Sequence, residues 1–273
     1  MLRYRPAAPL DRYVECFWWS HREVPQTYEE HMLPAARAQL VIPLHALPLR
    51  YRCTQTATAV SWTGGLLHGP QRRFYVGGEK PCGAVLGVSF RAGGAGVVLG
   101  VEMPELVDRH IALVDLWGAR AGLLQEELVG SADAASAFRI LERHLAAGIR
   151  ARLLMNPAIA HALTSAWLPA RISQLQQATG YSAKHFIALF NSAVGLTPKH
   201  YYRIRRFNEV TRRLAEGAGT LADLAAAGGY CDQAHLTREF HELAGVTPSR
   251  YRGNADSPLH HRLPERGCSS RPR

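Results

Sequence analysis

The chain has 273 residues, 47% of them hydrophobic and 20% charged, with a formal charge of +10 at pH 7. That length suits two domains with separate cores, and no apolar run reaches the roughly 18–20 residues that a bilayer-spanning helix needs. Cys16, Cys53, Cys82, Cys231 and Cys268 stand singly, and the thirteen histidines show no H-x-H or H-x-x-x-H spacing. This pattern argues against a disulfide framework, a metal cluster and any metal cofactor. The start, "MLRYRPAAPLDRYVECFWW", lacks the pattern of a signal peptide, and a cytoplasmic location is the expectation.

In chain order, "RYVECFWWSHREV", "AQLVIPL", "RRFYVGG" and "GAVLGVSF" are short β-rich runs between Gly, Pro and polar breaks. They predict a barrel or sandwich up to about Phe90. Aromatic residues of this half, Phe17, Trp18, Trp19, Trp62, Phe74 and Tyr75, are candidates to line a small-molecule pocket, with plain core packing as the alternative. Strand alternation puts Phe17 and Trp19 on one face and Trp18 on the other. From Arg91 the composition turns to Ala and Leu. "ELVDRHIALVDLWGARAGLLQEELVG" and "SADAASAFRILERHLAAGI" read as helices, the second with Ser131 as its cap. Leu123, Leu124 and Leu128 are candidates for a seam between subunits, against packing inside one chain.

Beyond residue 150 the chain repeats itself. "ISQLQQATGYS" pairs with "LADLAAAGGYC" at an offset of 49, and "HFIALFNSAVGLTPKHYYR" with "HLTREFHELAGVTPSRYR" at 50. The many coincidences predict a duplicated unit. Each copy reads as helix, turn, helix. Gly180 ends the first helix, Ser182 or Asp232 caps the second, and Thr197-Pro198 and Thr247-Pro248 each open a further helix. Thr220-x-x-Asp223 has the spacing of a capping box. The stripes Phe186/Leu189/Phe190 and Leu236/Phe240/Leu243 predict buried faces.

The opposite faces then present Lys184, Ile187, Ala188 and Asn191 in the first unit, and Gln233, Ala234, Thr237, Arg238 and His241 in the second. Arg and Gln suit guanine and adenine edges, and Thr or Ala can meet a thymine methyl. Residues 198–214 between the units predict one helix of about 25 Å, which can hold two such helices at the ~34 Å spacing of successive major grooves. Residues 151–253 hold 12 Lys and Arg against 6 Asp and Glu. On the linking helix, Arg203, Arg205 and Arg206 are candidates for phosphate contact.

On these motifs, residues 156–253 resemble the DNA-binding domain of the AraC/XylS family of bacterial transcription regulators. The resemblance implies seven helices, with two helix-turn-helix motifs bridged by a long helix and residues 183–193 and 232–243 as groove readers. Many members carry polar or basic side chains where this chain has Ile187 and Ala188, so base reading falls mainly to the second unit. The β-then-α order of residues 1–150, with its "FWW", "LGVSFR" and "LWG" runs, is similar to the cupin-like sensor and dimerisation halves of the same family.

The expectation is therefore an α+β chain with a β-rich cupin-like sensor and trailing helices, then an all-α double helix-turn-helix domain. It would act as a sequence-specific regulator on double-stranded DNA, modulated by a small-molecule effector, with RNA polymerase and a second copy of the chain as further candidate partners. Two alternatives stay open. One is a ligand-independent DNA binder. The other is a DNA alkyl-transfer protein using Cys82 in "PCGAV", although Gly83 and Ala84 stand where activating His and Arg would be needed, which makes Cys82 an ordinary buried cysteine. No Gly-rich phosphate loop or G-x-S-x-G elbow is present, and no enzyme activity is expected. Residues 254–273, rich in Pro, Ser and Arg, predict a disordered tail.

Overall fold

A computed structural model describes residues 1–26, 28–52, 59–78, 80–149, 155–164, 172–251 and 259–262. Its β-rich part comprises β1 (Leu2–Tyr4), β2 (Val14–Arg22), β3 (Glu30–Met32), β4 (Gln39–Pro43), β5 (Leu49–Arg52), β6 (Ala59–Trp62), β7 (Leu66–His68), β8 (Tyr75–Gly77), β9 (Gly83–Phe90) and β10 (His110–Ala112). Helices α1 (Gly94–Leu99), α2 (Leu113–Trp117), α3 (Ala119–Val129) and α4 (Ala134–Ala146) follow or interleave with them. The second half is helical: α5 (Pro157–Thr164), α6 (Ile172–Thr179), α7 (Ala183–Val194), α8 (Pro198–Ala215), α9 (Leu221–Ala227) and α10 (Gln233–Ala244). A last strand, β11 (His260–Arg262), returns to the β-rich part.

The strands form two antiparallel sheets, one ordered β1-β2-β9-β4-β7-β10 and the other β11-β3-β8-β5-β6. Alternation explains what each face of the larger sheet meets. Phe17, Leu40, Leu67, Leu86 and Val88 share one face and pack under α3 and α4 against Leu124, Leu128, Phe138, Leu141 and Leu145. Leu124 and Leu128 are therefore core residues of a single chain, while Leu123 points outward at 57% exposure. Helix α4 is capped by Asp133, which accepts from the Ser136 amide, rather than by Ser131.

Residues one position along face the second sheet. His68 and His110 meet the rings of Tyr51, Trp62 and Tyr75 there, and their Nδ1 atoms lie 2.7 Å apart. One Nδ1–H must donate and the other nitrogen accept, which fixes complementary tautomers. Burial drives the His110 imidazole down to about 4. Burial first, and then the neighbouring His110, hold His68 well below the ordinary value.

The candidate pocket aromatics are not gathered. Phe17 is fully buried and stacks on Phe138 at 6.2 Å, and Trp19 packs against the same core. Trp62 lies between the sheets, 6.0 Å from Tyr51. Phe74 lies at the seam with the helical half, stacked on His31 at 4.1 Å. The period-2 pleat sends Phe17 and Trp19 outward to the helices while Trp62 turns inward, so no common cavity forms.

The tail also departs from expectation. His260–Arg262 pair antiparallel with β3, and His260 Nδ1 lies 3.2 Å from Glu30 Oε2, beside the Lys80 ammonium at 2.5 Å. Composition missed this strand because its partner edge lies more than two hundred residues upstream. The other tail residues, 254–258 and 263–273, and the cysteines Cys53 and Cys268 lie outside the described residues.

A histidine whose folded-state value is lowered binds its proton more readily when unfolded, so acid erodes stability between the two values. We expect the melting temperature to fall as pH drops from about 6.5 towards about 4. Calorimetry on the chain and on a His110→Gln variant checks this, and the variant should show the shallower slope.

Candidate nucleic-acid interface

Each of the two repeated units folds as the residues dictate. The backbone turns at Gly180 and Gly229 between α6 and α7 and between α9 and α10. Ser182 accepts from the His185 amide at 3.3 Å, and Asp232 from the His235 amide at 2.6 Å, each satisfying a free donor at a helix start. Thr220 and Asp223 form the reciprocal capping box. The equivalence extends to ring packing. Tyr181 meets His185 edge-on as Tyr230 meets His235, and Phe190 meets Tyr201 as Phe240 meets Tyr251. The side chains of Ile172 and Leu175 lie outside the described residues.

Helix α8, opened by Thr197 and Pro198, runs 18 residues, about 27 Å. It buries side chains towards both units. Tyr201, Tyr202 and Ile204 join Phe186, Phe190 and Val194 of α7; Phe207 and Val210 join Leu236, Phe240 and Leu243 of α10. The second Thr-Pro phrase starts only a 3-10 turn, Pro248–Arg250, and Thr247 makes no capping bond there. Among the described residues the helical half thus closes on this turn, where the resemblance implied a seventh helix.

With the apolar stripes buried, the opposite faces stand clear. Lys184, Ile187 and Ala188 are exposed and Asn191 half-buried on α7. Gln233, Ala234 and Arg238 are exposed on α10, where Thr237 is half-buried and donates its hydroxyl to the Gln233 carbonyl at 2.9 Å. The structure therefore puts each of these residues on a face turned away from its own helix's buried stripe. Ile187, 45% exposed, is a large apolar side chain left on the surface.

The phosphate candidates on α8 are placed otherwise. Arg203 Nε donates to Glu239 at 3.0 Å, and its other nitrogens grip Glu242; Arg206 donates to both Glu239 oxygens at 2.9 and 3.0 Å. Arg206 also lies over the Tyr230 ring at 4.2 Å. Burial disfavours both charges, yet the bonds to Glu239 and Glu242 outweigh it and raise both guanidiniums above their ordinary value. Arg205 lies beside the Tyr201 ring at 5.8 Å, and Arg212 and Arg213 pair with Glu209 and Glu216 on their own helix. Arg203 and Arg206 thus tie α8 to α10, and the guanidiniums expected at phosphate are engaged by Glu239 and Glu242.

The sequence hid this because Glu239 sits some thirty residues from both arginines, on an exposed-looking stretch of "HLTREF". Its equivalent in the first unit is Leu189, which packs in the core there. The exposed basic residues with no ion-pair partner among the described residues include Lys184, Lys199, Arg238 and Arg250. Lys199 and Arg250 belong to the repeated phrase itself and were not singled out from sequence. Cys82 is exposed rather than buried, because it lies in the turn that leads into β9.

Removing one partner from a buried ion network leaves uncompensated charge, which costs about 3–5 kcal/mol when the pair is fully buried. Glu239 is 9% exposed and each arginine 23%, so Glu239→Gln should cost somewhat less, on the order of 2–3 kcal/mol. Urea unfolding of the variant checks this.

Two family models match the chain: "Helix-turn-helix domain" over residues 175–254 and "Domain of unknown function (DUF6597)" over residues 2–112. The probable transcription factor PqrA of Proteus vulgaris is 32% identical over 91 residues, covering 33% of this chain and 75% of that protein. A putative AraC-like transcription regulator of Streptomyces lividans is 33% identical over 109 residues, or 38% of this chain and 36% of its own length. Among solved structures, ToxT from Vibrio cholerae aligns over 85% of this chain and 95% of its own, at 11% identity and a TM-score of 0.45. With its doubled helix-turn-helix and a regulator relative matched over three quarters of its length, the chain belongs to the AraC/XylS family of bacterial transcription regulators, which are not enzymes.

Proposed function

We propose that α7 and α10 enter successive major grooves of double-stranded DNA and that α10 does most of the sequence discrimination. The observation that carries this reading is the division of charge on α8 and α10. Arg203 and Arg206 are bound inward by Glu239, whereas Arg238, one residue before that glutamate, is exposed with no partner among the described residues. Arg238 and Gln233 can each make bidentate contacts with a base edge, while α7 offers Ile187 and Ala188 for methyl contact and shape, with Lys184 and Asn191 at its polar margin. Phosphate positioning then falls to Lys199 and Arg250, which follow the two recognition helices within the repeated Gly-x-Thr-Pro phrases, one position out of register with each other.

The N-terminal half is read as the sensor that modulates this binding. A cavity of about 260 Å³ lies at the seam, lined by Arg72, Arg73 and Asp108 from the N-terminal half and by His200, Arg203 and Leu243 from the helical half. A small-molecule effector held there would touch α8 and α10 together. Inside the β-rich half, the Trp18 indole N–H and both ring nitrogens of His45 are buried with no hydrogen-bond partner among the described residues, and polar ligand atoms would be favoured beside either side chain. Residues 1–150 and 156–253 are the corresponding sensor and DNA-binding units, acting in the cytoplasm where the DNA is. A second subunit, if it used α3, would meet Leu123, since Leu124 and Leu128 are buried. RNA polymerase enters as a partner only through the family.

Arg238→Ala should lose discrimination at one base position by about 1–3 kcal/mol, and Lys199→Ala should instead weaken all sequences alike and flatten the salt dependence. Binding of DNA selected from a random library, measured at several salt concentrations, checks both. An unchanged site preference in Arg238→Ala would remove the base-reading assignment. An affinity that no small molecule alters would favour the ligand-independent reading.

A further inference from the structure

Both recognition helices end on a glycine of positive φ, Gly195 at 83° and Gly245 at 73°, and both glycines press against the N-terminal half. A Cβ on Gly195 would lie 2.6 Å from the Met103 carbonyl oxygen and 2.9 Å from Val107. One on Gly245 would collide with the Phe74 ring. Neither position tolerates a side chain, first for its backbone conformation and again for its neighbour. The next residues, Leu196 and Val246, enter the two clusters that span the seam, with Ala36, Ala92 and Val107 at the first and Leu33 and Phe74 at the second.

The second contact is the more elaborate. The last carbonyls of a helix have no partner within it. At the end of α10, the Phe74 amide donates to the Leu243 carbonyl at 3.0 Å and His31 Nδ1 to the Ala244 carbonyl at 2.8 Å. The N-terminal half therefore caps this helix. His31 sits on β3, where β11 pairs, and its ring also meets His261 of that strand.

We propose that these twin turns are a clamp, in which the N-terminal half grips both recognition helices at their C-terminal ends and sets their mutual angle, with Phe74 as a positioning residue. The first unit is fastened to α8 along one apolar stripe, and the second along its stripe and by the bonds of Arg203 and Arg206 to Glu239 and Glu242. These attachments fix separation but all lie on the rod, so rotation about it is resisted from that side only. A second attachment away from the rod removes the rotation for both units. The repeated G-[LV]-T-P phrase is then the pair of sockets for a domain that lies outside the repeat. This inference rests on the reading that α7 and α10 occupy two grooves.

The test compares the full chain with Phe74→Ala and with Phe74→Leu, which keeps an apolar contact, by two readouts. The first needs no DNA: amide hydrogen exchange at residues 72–76 and 243–247 should rise in Phe74→Ala and return towards the parent in Phe74→Leu. The second uses DNA selected by the parent chain and the same DNA with one base pair inserted between the two contacted patches. The insertion should weaken the parent by about tenfold or more, equivalent to about 1.4 kcal/mol, Phe74→Ala by much less, and Phe74→Leu by nearly as much as the parent. Unchanged exchange in Phe74→Ala, or an insertion penalty equal to the parent's, overturns the clamp. If the parent selects no DNA at all, the two-groove reading fails, and the angle-setting role of the clamp fails with it even where exchange shows that the grip itself exists.

Discussion

Helix α8 has to bury apolar side chains towards two partners at once, and the helical half depends on that constraint. Its first turns give Tyr201, Tyr202 and Ile204 to α7, and its later turns give Phe207 and Val210 to α10. A fully buried side chain of this kind contributes roughly 1.5–3 kcal/mol, so neither unit would hold its place on the rod without its share. Because each recognition helix fills the rod with its own stripe, the side chains opposite that stripe are left pointing outward. The presentation of Arg238 and Gln233 is thus a consequence of where Leu236 and Phe240 are buried.

Charge follows the same geometry. The basic excess of residues 151–253 suggests a broad cationic surface, yet the α8 arginines are largely neutralised. Arg203 and Arg206 surround Glu239, while Arg212 and Arg213 share Glu209 with Glu216 close by. What remains exposed without an ion-pair partner among the described residues is a sparse set that includes Lys184, Lys199 and Arg250 near helix ends and Arg238 in the middle of α10. An interface of that kind gains orientation from a few well-placed phosphate contacts and relies on base edges for the rest. The buried Glu239 network also makes the units chemically unequal, since the first has Leu189 at the equivalent place.

The features that could be read from the sequence were local. Ser182, Asp232, Thr197 and the Thr220–Asp223 box cap helices through bonds spanning three residues, so spacing alone revealed them. The stripes of α7 and α10 were equally visible, because helical period determines which residues share a face. The features that escaped depend on partners distant in sequence. The Glu239 network crosses between helices, β11 finds its edge on β3, and Phe74 reaches the end of α10. The aromatic pocket failed for a related reason. Alternation predicted the faces of Phe17 and Trp18, but which face looked onto helices and which onto the second sheet was set by tertiary packing. The doubled Gly-x-Thr-Pro phrase was legible as helix punctuation, and its contact with the N-terminal half was not.

With α7 and α10 as the proposed groove readers on one rod, unequal in what they present, the chain should leave an unequal mark on DNA. Hydroxyl-radical footprinting of the full chain on DNA fragments selected from a random library measures this most directly. Two protected patches should appear on one face of the duplex, about one helical turn apart, with sequence tightly constrained under one patch and tolerant under the other. A single patch, or two patches with equal sequence constraint, would contradict a rod that carries one discriminating and one shape-fitting helix.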